Sequence, residues 1–499
     1  MTGMFCQQCE QTAAGRACES AGICGKNSEV ARLQDELTGA LIGAARDGRE
    51  IPGELLLESL FATLTNVNFD PESLAGLRSA AGGPGYDMNG LWGAPEDSRS
   101  LRTLLLLGIR GAAAYAHHAG VLGADVSESL AYFRRGLAAV AEEGWGAAEL
   151  LPLVLECGDV NLKILALLDE AHYNSFGQAA PAVVSRTVEP GPFVVVTGHD
   201  MLDLSLLLKQ TESRGVAVYT HGEMLNAHGY PELKKYPHLK GHVGTAWPNQ
   251  QKELASIPGA VLFTTNCLMP PLETYRDRVF TTSVARWPGV THVDGSKDFS
   301  PVIDRALELG GHKESRGDGT FSTGYGHRTV LSLAGTIVQA VKSGAVRRFF
   351  LVGGCDGHRG SRSYFRDFVE KTPPDTVVLT LGCGKFRFND LDLGTIGGIP
   401  RLIDMGQCND AYGAVRVAVA LAGAFDCGVN DMPLSLVISW YEQKAVAILL
   451  SLLHLGIKKI VLGPSLPAFV SPAVLNYLVE NYQVAPTTSV DADLARLMG

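Results

Sequence analysis

The sequence predicts a multidomain α plus α/β fold: a helical N-terminal domain followed by two Rossmann-like α/β domains with mainly parallel sheets. Three observations predict it. From about residue 26 to 175, apolar residues recur at every third or fourth position, the period of a helix with one buried face. Beyond a Pro- and Gly-rich stretch at 175–192, short apolar runs alternate with helical stretches, as in parallel α/β units. The 57 glycines are spread along the chain, often just after those runs, where tight strand-to-loop turns use them. A chain of 499 residues can bury several cores. The expected domains are 1–188, 189–325 and 326–499, the last division falling after the Gly-rich "RGDGTFSTGYGH".

The chain opens with "CQQCEQTAAGRACESAGIC" (6–24), ahead of the first expected helix. In "SEVARLQDELTGALIGAAR", Val30, Leu33, Leu37, Leu41 and Ala44 form one apolar stripe. "LRTLLLLGIRGAAAYAHHAGVL", "DVSESLAYFRRGLAAVAEEG" and "ELLPLVLECGDVNLKILALLDEAH" read the same way, and Asp125 followed by Glu128 is expected to form a capping box. The strand runs are "PFVVVTGHD", "VAVYTHGEM", "AVLFTTNCL", "RRFFLVGGCDG", "DTVVLTLGCGK", "RLIDMGQCND" and "LSLVISWYEQK", with "KKIVLGPSLP" as a further strand.

Composition excludes some function classes. With 42 basic and 52 acidic residues the net charge is −10, so no overall field draws in nucleic acid. The longest apolar stretches, Ala445 to Ile457 and around Leu104 to Leu107, are too short to cross a bilayer. No secretory h-region follows the first residues, so a cytoplasmic protein without structural disulfides is expected. The spacing C-x2-C-x8-C-x5-C of Cys6, Cys9, Cys18 and Cys24 lacks the paired short knuckles of zinc ribbons. An iron–sulfur cluster tolerates such uneven spacing in a loop, so four thiolates for iron are preferred to zinc.

Each of the seven strand runs ends in a potential metal ligand: His199, Glu223, Cys267, Cys355, Cys383, Cys408, and the pair Glu442 and Lys444. Functional groups gather at the carboxyl ends of strands in open α/β sheets, so seven in succession point to one site drawn from both α/β domains. Four soft thiolates joined by an imidazole and two carboxylates exceed the needs of a plain four-iron cube. They suit an iron cluster with both sulfur and oxygen bridges and an iron open to substrate. Lys444, two residues past Glu442, would share its face on an extended segment and could donate a proton or hold an anion. Taken one at a time, a cysteine is a small core hydrophobe, a histidine a hydrogen-bonded core residue, and Glu223 a helix-start carboxylate. The core reading is kept for Cys157 and Cys427, and His221, His228 and His358 are read as structural or supporting.

The segments "MFCQQCEQT", "GICGK", "TGHD", "YTHGEM", "HGYPELK", "TTNC", "LVGGCDG", "LGCGKFRFN", "MGQCND" and "SWYEQKAVAILL" resemble the hybrid cluster protein (hydroxylamine reductase) family, from residue 4 to about 465. The resemblance implies prismane-type iron–sulfur proteins whose fold is related to carbon monoxide dehydrogenase. It implies that Cys6, Cys9, Cys18 and Cys24 bind a [4Fe–4S] cluster. It also implies that His199, Glu223, Cys267, Cys355, Cys383, Cys408 and Glu442 bind a hybrid [4Fe–2O–2S] cluster, with Cys355 as the persulfide candidate. Lys444 matches a residue beside that cluster, and Glu442, Lys444, His199 and Glu223 are the candidates for catalytic roles. The implied activity is reduction of hydroxylamine to ammonia, fed by an unidentified electron-donor protein. Alternatives are nitric oxide reduction to nitrous oxide, protein S-nitrosation in a nitrosative stress response, and carbon monoxide dehydrogenase-like chemistry. Monomer and homodimer are both compatible, and the helical region before His199 is shorter than in the long anaerobic members.

Overall fold

The computed structural model describes residues 4–499. Seven helices carry the N-terminal half of the helical pattern: α1 (Ser28–Arg46), α2 (Gly53–Ala62), α3 (Pro71–Ala81), α4 (Asn89–Trp92), α5 (Glu96–Val121), α6 (Ser127–Val140) and α7 (Ala147–Phe176). α1 starts where Asn27 accepts the amide of Val30 at 2.9 Å, and its expected stripe is buried. α3 starts on Asp70 with Pro71 at its first position. The capping box expected at Asp125 and Glu128 does not form. α6 begins one residue later than that pattern needs, so Asp125 accepts from Ser127 N at 3.0 Å while Glu128 faces Lys163 at 3.5 Å.

Two six-stranded sheets follow. The first contains β2 (Phe193–Thr197), β3 (Ala217–His221), β4 (Leu239–His242), β5 (Ala260–Phe263), β6 (Val279–Thr282) and β7 (Thr291–Val293), in the order β4-β3-β2-β5-β6-β7. The second contains β9 (Arg348–Gly354), β10 (Thr376–Thr380), β13 (Leu402–Asp404), β14 (Leu434–Ser439), β15 (Ile460–Gly463) and β16 (Ala485–Pro486), in the order β13-β10-β9-β14-β15-β16. Every pairing within both sheets is parallel. β2, β5 and β10 are buried at every residue, which is why they read as unbroken apolar runs. β1 (Ala182–Ser185), which lies before residue 189, pairs antiparallel with β8 (Thr320–Thr323), and β11 (Thr395–Ile396) with β12 (Ile399–Pro400) makes a small ribbon.

Counted from its first strand, each sheet has the doubly wound order 3-2-1-4-5-6. The order reverses between β2 and β5 in one sheet and between β9 and β14 in the other. At such a switch point the loops diverge above and below the sheet and leave a crevice at the strand ends. His199 and Cys267 follow the first pair of strands, and Cys355 and Glu442 follow the second.

The helix Gln443–His454, leaving β14, lies against α5 and α7 in the largest core of the molecule. Small residues let the backbones meet. A Cβ on Gly111 would stand 2.2 Å from the carbonyl oxygen of Gln443, and one on Gly158 would stand 2.1 Å from that of Leu450. Gly111 therefore sets the position of the turn carrying Glu442 and Lys444. Gly111→Ala is expected to cost roughly 1–3 kcal/mol through overpacking. The exposed helical Gly76 meets nothing within 4 Å, and Gly76→Ala is expected to stabilise by about 0.5–1 kcal/mol. Thermal unfolding of the two variants against the parent checks the contrast.

Candidate metal centres

The structure gathers the strand-end residues into one site, buried at His199, Glu223, Cys383, Cys408 and Glu442 and partly so at Cys267 and Cys355. His199 lies two residues beyond β2, where its amide donates to Thr265 Oγ1 at 2.9 Å and its Nδ1 lies 3.1 Å from the same oxygen. Nδ1 is thereby engaged, and Nε2 faces Glu223 Oε1 at 3.4 Å with no hydrogen-bond partner. Glu223 sits in the 3-10 helix Gly222–Gly229 after β3 and is the centre of the arrangement. It accepts the Cys383 thiol at 2.7 Å on Oε1 and the Cys408 amide at 2.6 Å on Oε2. Donor atoms of His199, Glu223 and Cys408 all lie within 4.8 Å of one another. Cys355 follows β9 directly, its amide donating to Ser439 O at 2.8 Å. Cys267, Cys355 and Cys383 pack in one apolar cluster.

Glu442 and Lys444 differ from their expected placement. They do not share the face of an extended segment, because the chain turns helical at Gln443. Glu442 becomes the N-cap, with Oε2 accepting Lys444 N at 2.8 Å, and Lys444 lies in the first helical turn. Both side chains still enter the site. Lys444 Nζ donates to Asn266 Oδ1 at 3.0 Å and is 1% exposed.

Burial dominates the electrostatics. It pushes the thiols of Cys355 and Cys408 and the carboxyl of Glu442 up from their ordinary values. For Lys444 burial acts downward, but Cys408, Glu442, Glu223 and Cys267 outweigh it and keep the ammonium charged. For Glu223 burial opposes ionisation, and His199, Lys444 and the Cys383 S–H facing it outweigh that. Burial, then Lys444, hold His199 below its ordinary value, against the upward pull of Glu223 beside its Nε2. A desolvated set of thiols and carboxylates around one orphaned imidazole nitrogen is costly by itself. A cationic metal shared among these donors would relieve that cost, and the mix suits a thiophilic metal with some hard ligation.

Sequence reasoning missed several groups at this site. Tyr115 and His118 reach it from α5, and neither Tyr115 OH nor His118 Nε2 has a hydrogen-bond partner. The Tyr115 ring lies 5.8 Å from Lys444 Nζ, and the His118 ring 6.4 Å from that of His199. Their signal was present in "AAAYAHHAG", where polar rings interrupt an apolar helix buried on nearly every side. His221 and His228 are structural, bonded to Thr197 and Glu253 and to Thr220 respectively. Cys157 is a fully buried core residue whose thiol burial pushes up to about 12.

The four N-terminal cysteines gather into a second group of thiols, a candidate centre. Cys6 and Cys18 exchange backbone hydrogen bonds at 3.1 and 2.9 Å, folding the segment on itself. Cys9, Cys18 and Cys24 are buried, and Cys6 partly so. Burial, then Cys24 and Cys6, raise the thiol of Cys9, as crowding of like groups away from water does. The two centres adjoin. Tyr441 packs in one apolar cluster with Cys9, Cys267, Cys355 and Cys383, its ring centroid 4.6 Å from that of Trp247. Glu10, next to Cys9, pairs with Arg362 at 2.8 Å, and Arg362 also donates to Trp440 O at 2.9 Å and Cys355 O at 3.3 Å.

The model of the Prismane/CO dehydrogenase family matches residues 4–495. The hydroxylamine reductase of Solidesulfovibrio magneticus is 49% identical over 539 residues, covering 99% of this chain and all of that one. The hydroxylamine reductase of Moorella thermoacetica is 47% identical over 497 residues, with the same coverage. Carbon monoxide dehydrogenase IV from Carboxydothermus hydrogenoformans superposes with a TM-score of 0.62 over all of this chain and 92% of its own, at 16% identity, a likeness of fold. On the matched span and on these identities, the chain belongs to the Prismane/CO dehydrogenase family.

Proposed function

We propose that the protein is an oxidoreductase that reduces hydroxylamine to ammonia. The observation that carries this reading is the convergence of four thiols, two carboxylates and an imidazole around the buried ammonium of Lys444. Iron–sulfur chemistry comes with the family. In this reading Cys6, Cys9, Cys18 and Cys24 hold a [4Fe–4S] cluster, and His199, Glu223, Cys267, Cys355, Cys383, Cys408 and Glu442 hold the hybrid [4Fe–2O–2S] cluster. When bound, the hybrid cluster supplies redox-active iron for cleaving the N–O bond. The chain's own residues do the rest. Lys444, steadied by Asn266, stabilises negative charge developing on the substrate oxygen. Tyr115 and His118 present polar atoms without protein partners to the same space. The surrounding apolar packing excludes bulk water. Electrons enter at the N-terminal centre from a donor protein and pass the short stretch around Tyr441. The cytoplasm suits ten cysteines of which none is in a disulfide, and no helix among the described residues is long and apolar enough to cross a membrane.

A second reading, reduction of nitric oxide, is favoured by one feature. A cavity of about 170 Å³ reaches Cys355, Cys408 and Lys444 through aliphatic walls that include Leu351, Val415, Leu436 and Ile448. An uncharged diatomic molecule partitions into such walls more readily than hydroxylamine does.

Two measurements test the proposal. Under anaerobic conditions with a low-potential donor, hydroxylamine turnover should yield ammonia. Saturation at low nitric oxide with negligible hydroxylamine turnover would replace the first reading by the second. Glu442→Gln and Cys355→Ser are each expected to abolish turnover while the spectrum of the N-terminal cluster persists. Cys9→Ser should remove that spectrum and slow electron delivery. Iron analysis with electron paramagnetic resonance of each variant separates these outcomes.

A further inference from the structure

The segment "GICGK" ends in a lysine that neither ligation nor turnover explains. Gly22 N donates to Lys26 O at 2.7 Å, closing a tight turn, and Asn27 then caps α1. That turn sends the Lys26 side chain back to the cysteine segment, where Nζ lies 3.9 Å from Cys6 Sγ. Lys26 is only 3% exposed. Arg110 of α5, fully buried, faces the same region and donates to Thr38 Oγ1 at 2.5 Å. Among the described residues, no carboxylate oxygen lies within 4 Å of either cation. Asp35 of α1 faces both from further away, bonded to Trp92 Nε1 at 3.3 Å, and Glu36 is the next acid along that helix.

Two buried cations without a contacting anion are unfavourable unless an anion belongs between them. A four-thiolate iron–sulfur cluster is such an anion, and it gains a further negative charge with each electron accepted. Cations held beside its sulfurs favour the reduced form over the oxidised one. We propose that Lys26, backed by Arg110, is the positioning charge that raises the reduction potential of the N-terminal cluster and so makes it the electron acceptor of the protein. This rests on the reading of that centre as a [4Fe–4S] site.

The test is a reductive titration of the purified, cluster-loaded protein with dithionite, followed by electron paramagnetic resonance at pH 8. Burial pushes the Asp35 carboxyl up to about 6, so it stays ionised throughout at that pH. Lys26→Met removes the charge and keeps the length of the side chain. Its N-terminal cluster is expected to keep the parent spectrum while its reduction equilibrium shifts at least tenfold toward the oxidised form, about 59 mV for one electron. Lys26→Arg, which retains the charge, should stay close to the parent. If Lys26→Met fails to assemble the cluster, Lys26→Gln takes its place. Assembly in Lys26→Arg but in neither neutral variant would also support a charge requirement. An unchanged potential in a loaded neutral variant would overturn the inference, as would a Lys26→Arg protein that behaves like the neutral ones. A parent protein with zinc, or with no four-iron signal, would instead overturn the reading of the centre itself.

Discussion

The backbone from Ser439 to Lys444 is the constraint on which the rest of the molecule depends. Ser439 O accepts the amide of Cys355, Trp440 O accepts Arg362, and Tyr441 O accepts the amide of Glu10. Glu442 then caps the helix, and Gln443 reaches Thr65 N through its oxygen and Thr65 Oγ1 through its nitrogen. Lys444 ends on Asn266. One strand-to-helix turn thus touches the N-terminal cysteine segment, the helical region and both sheets. Its own position is set by β14 behind it and by the glycine face of α5 in front. Three of these contacts use the turn's own carbonyl oxygens, and the others depend on the side chains of Glu442, Gln443 and Lys444.

Buried ion pairs lock the pieces around that turn. Glu10 and Arg362 are both fully buried, and such a pair adds little net stability over a packed apolar substitute. Without Glu10 the buried Arg362 loses its carboxylate partner, whereas Glu10 also faces Arg359 at 3.2 Å. Only the docked arrangement, with Glu10 beside Cys9 and Arg362 under Cys355, satisfies both. Lys385 does the same within the second sheet. It donates to both oxygens of Asp404 at 2.8 Å and to Gly406 O at 3.0 Å, joining the turn that carries Cys383 to the one before Cys408. The thiols are therefore held by charge pairs directed at their own loops.

Much of the fold, and the strand-end placement of the candidate ligands, was legible because the signals are local and periodic. The stripe of Val30, Leu33, Leu37 and Leu41 needs only a helical period to be recognised, and all eight strand runs needed only length and flanking glycines. The placement of His199, Glu223, Cys267, Cys355, Cys383, Cys408 and Glu442 at strand ends follows from the parallel topology, since every strand in a sheet then ends on the same side. The failures were equally local. Lys444 was placed by the period of an extended segment, but its residue lies one step inside a helix. The cap before α6 was missed by a single residue, where hydrogen-bond geometry decides and composition does not.

By itself the sequence determined the helical stretches that became α1, α5, α6 and α7, eight of the strands, the order of the candidate ligands, and the softness of that donor set. These depend on residue type and near-neighbour spacing. Tertiary structure alone decided which groups meet: Tyr115 and His118 with Lys444 and His199, Tyr441 with Cys9 and Cys267, Arg362 with Glu10, and Lys26 with Cys6. Most of these partners lie many tens to hundreds of residues apart, and even Lys26 reaches Cys6 only through a turn. Their contacts arise from strand order, glycine-permitted helix approach and the cost of unpaired buried charge, none of which leaves a periodic mark in the chain.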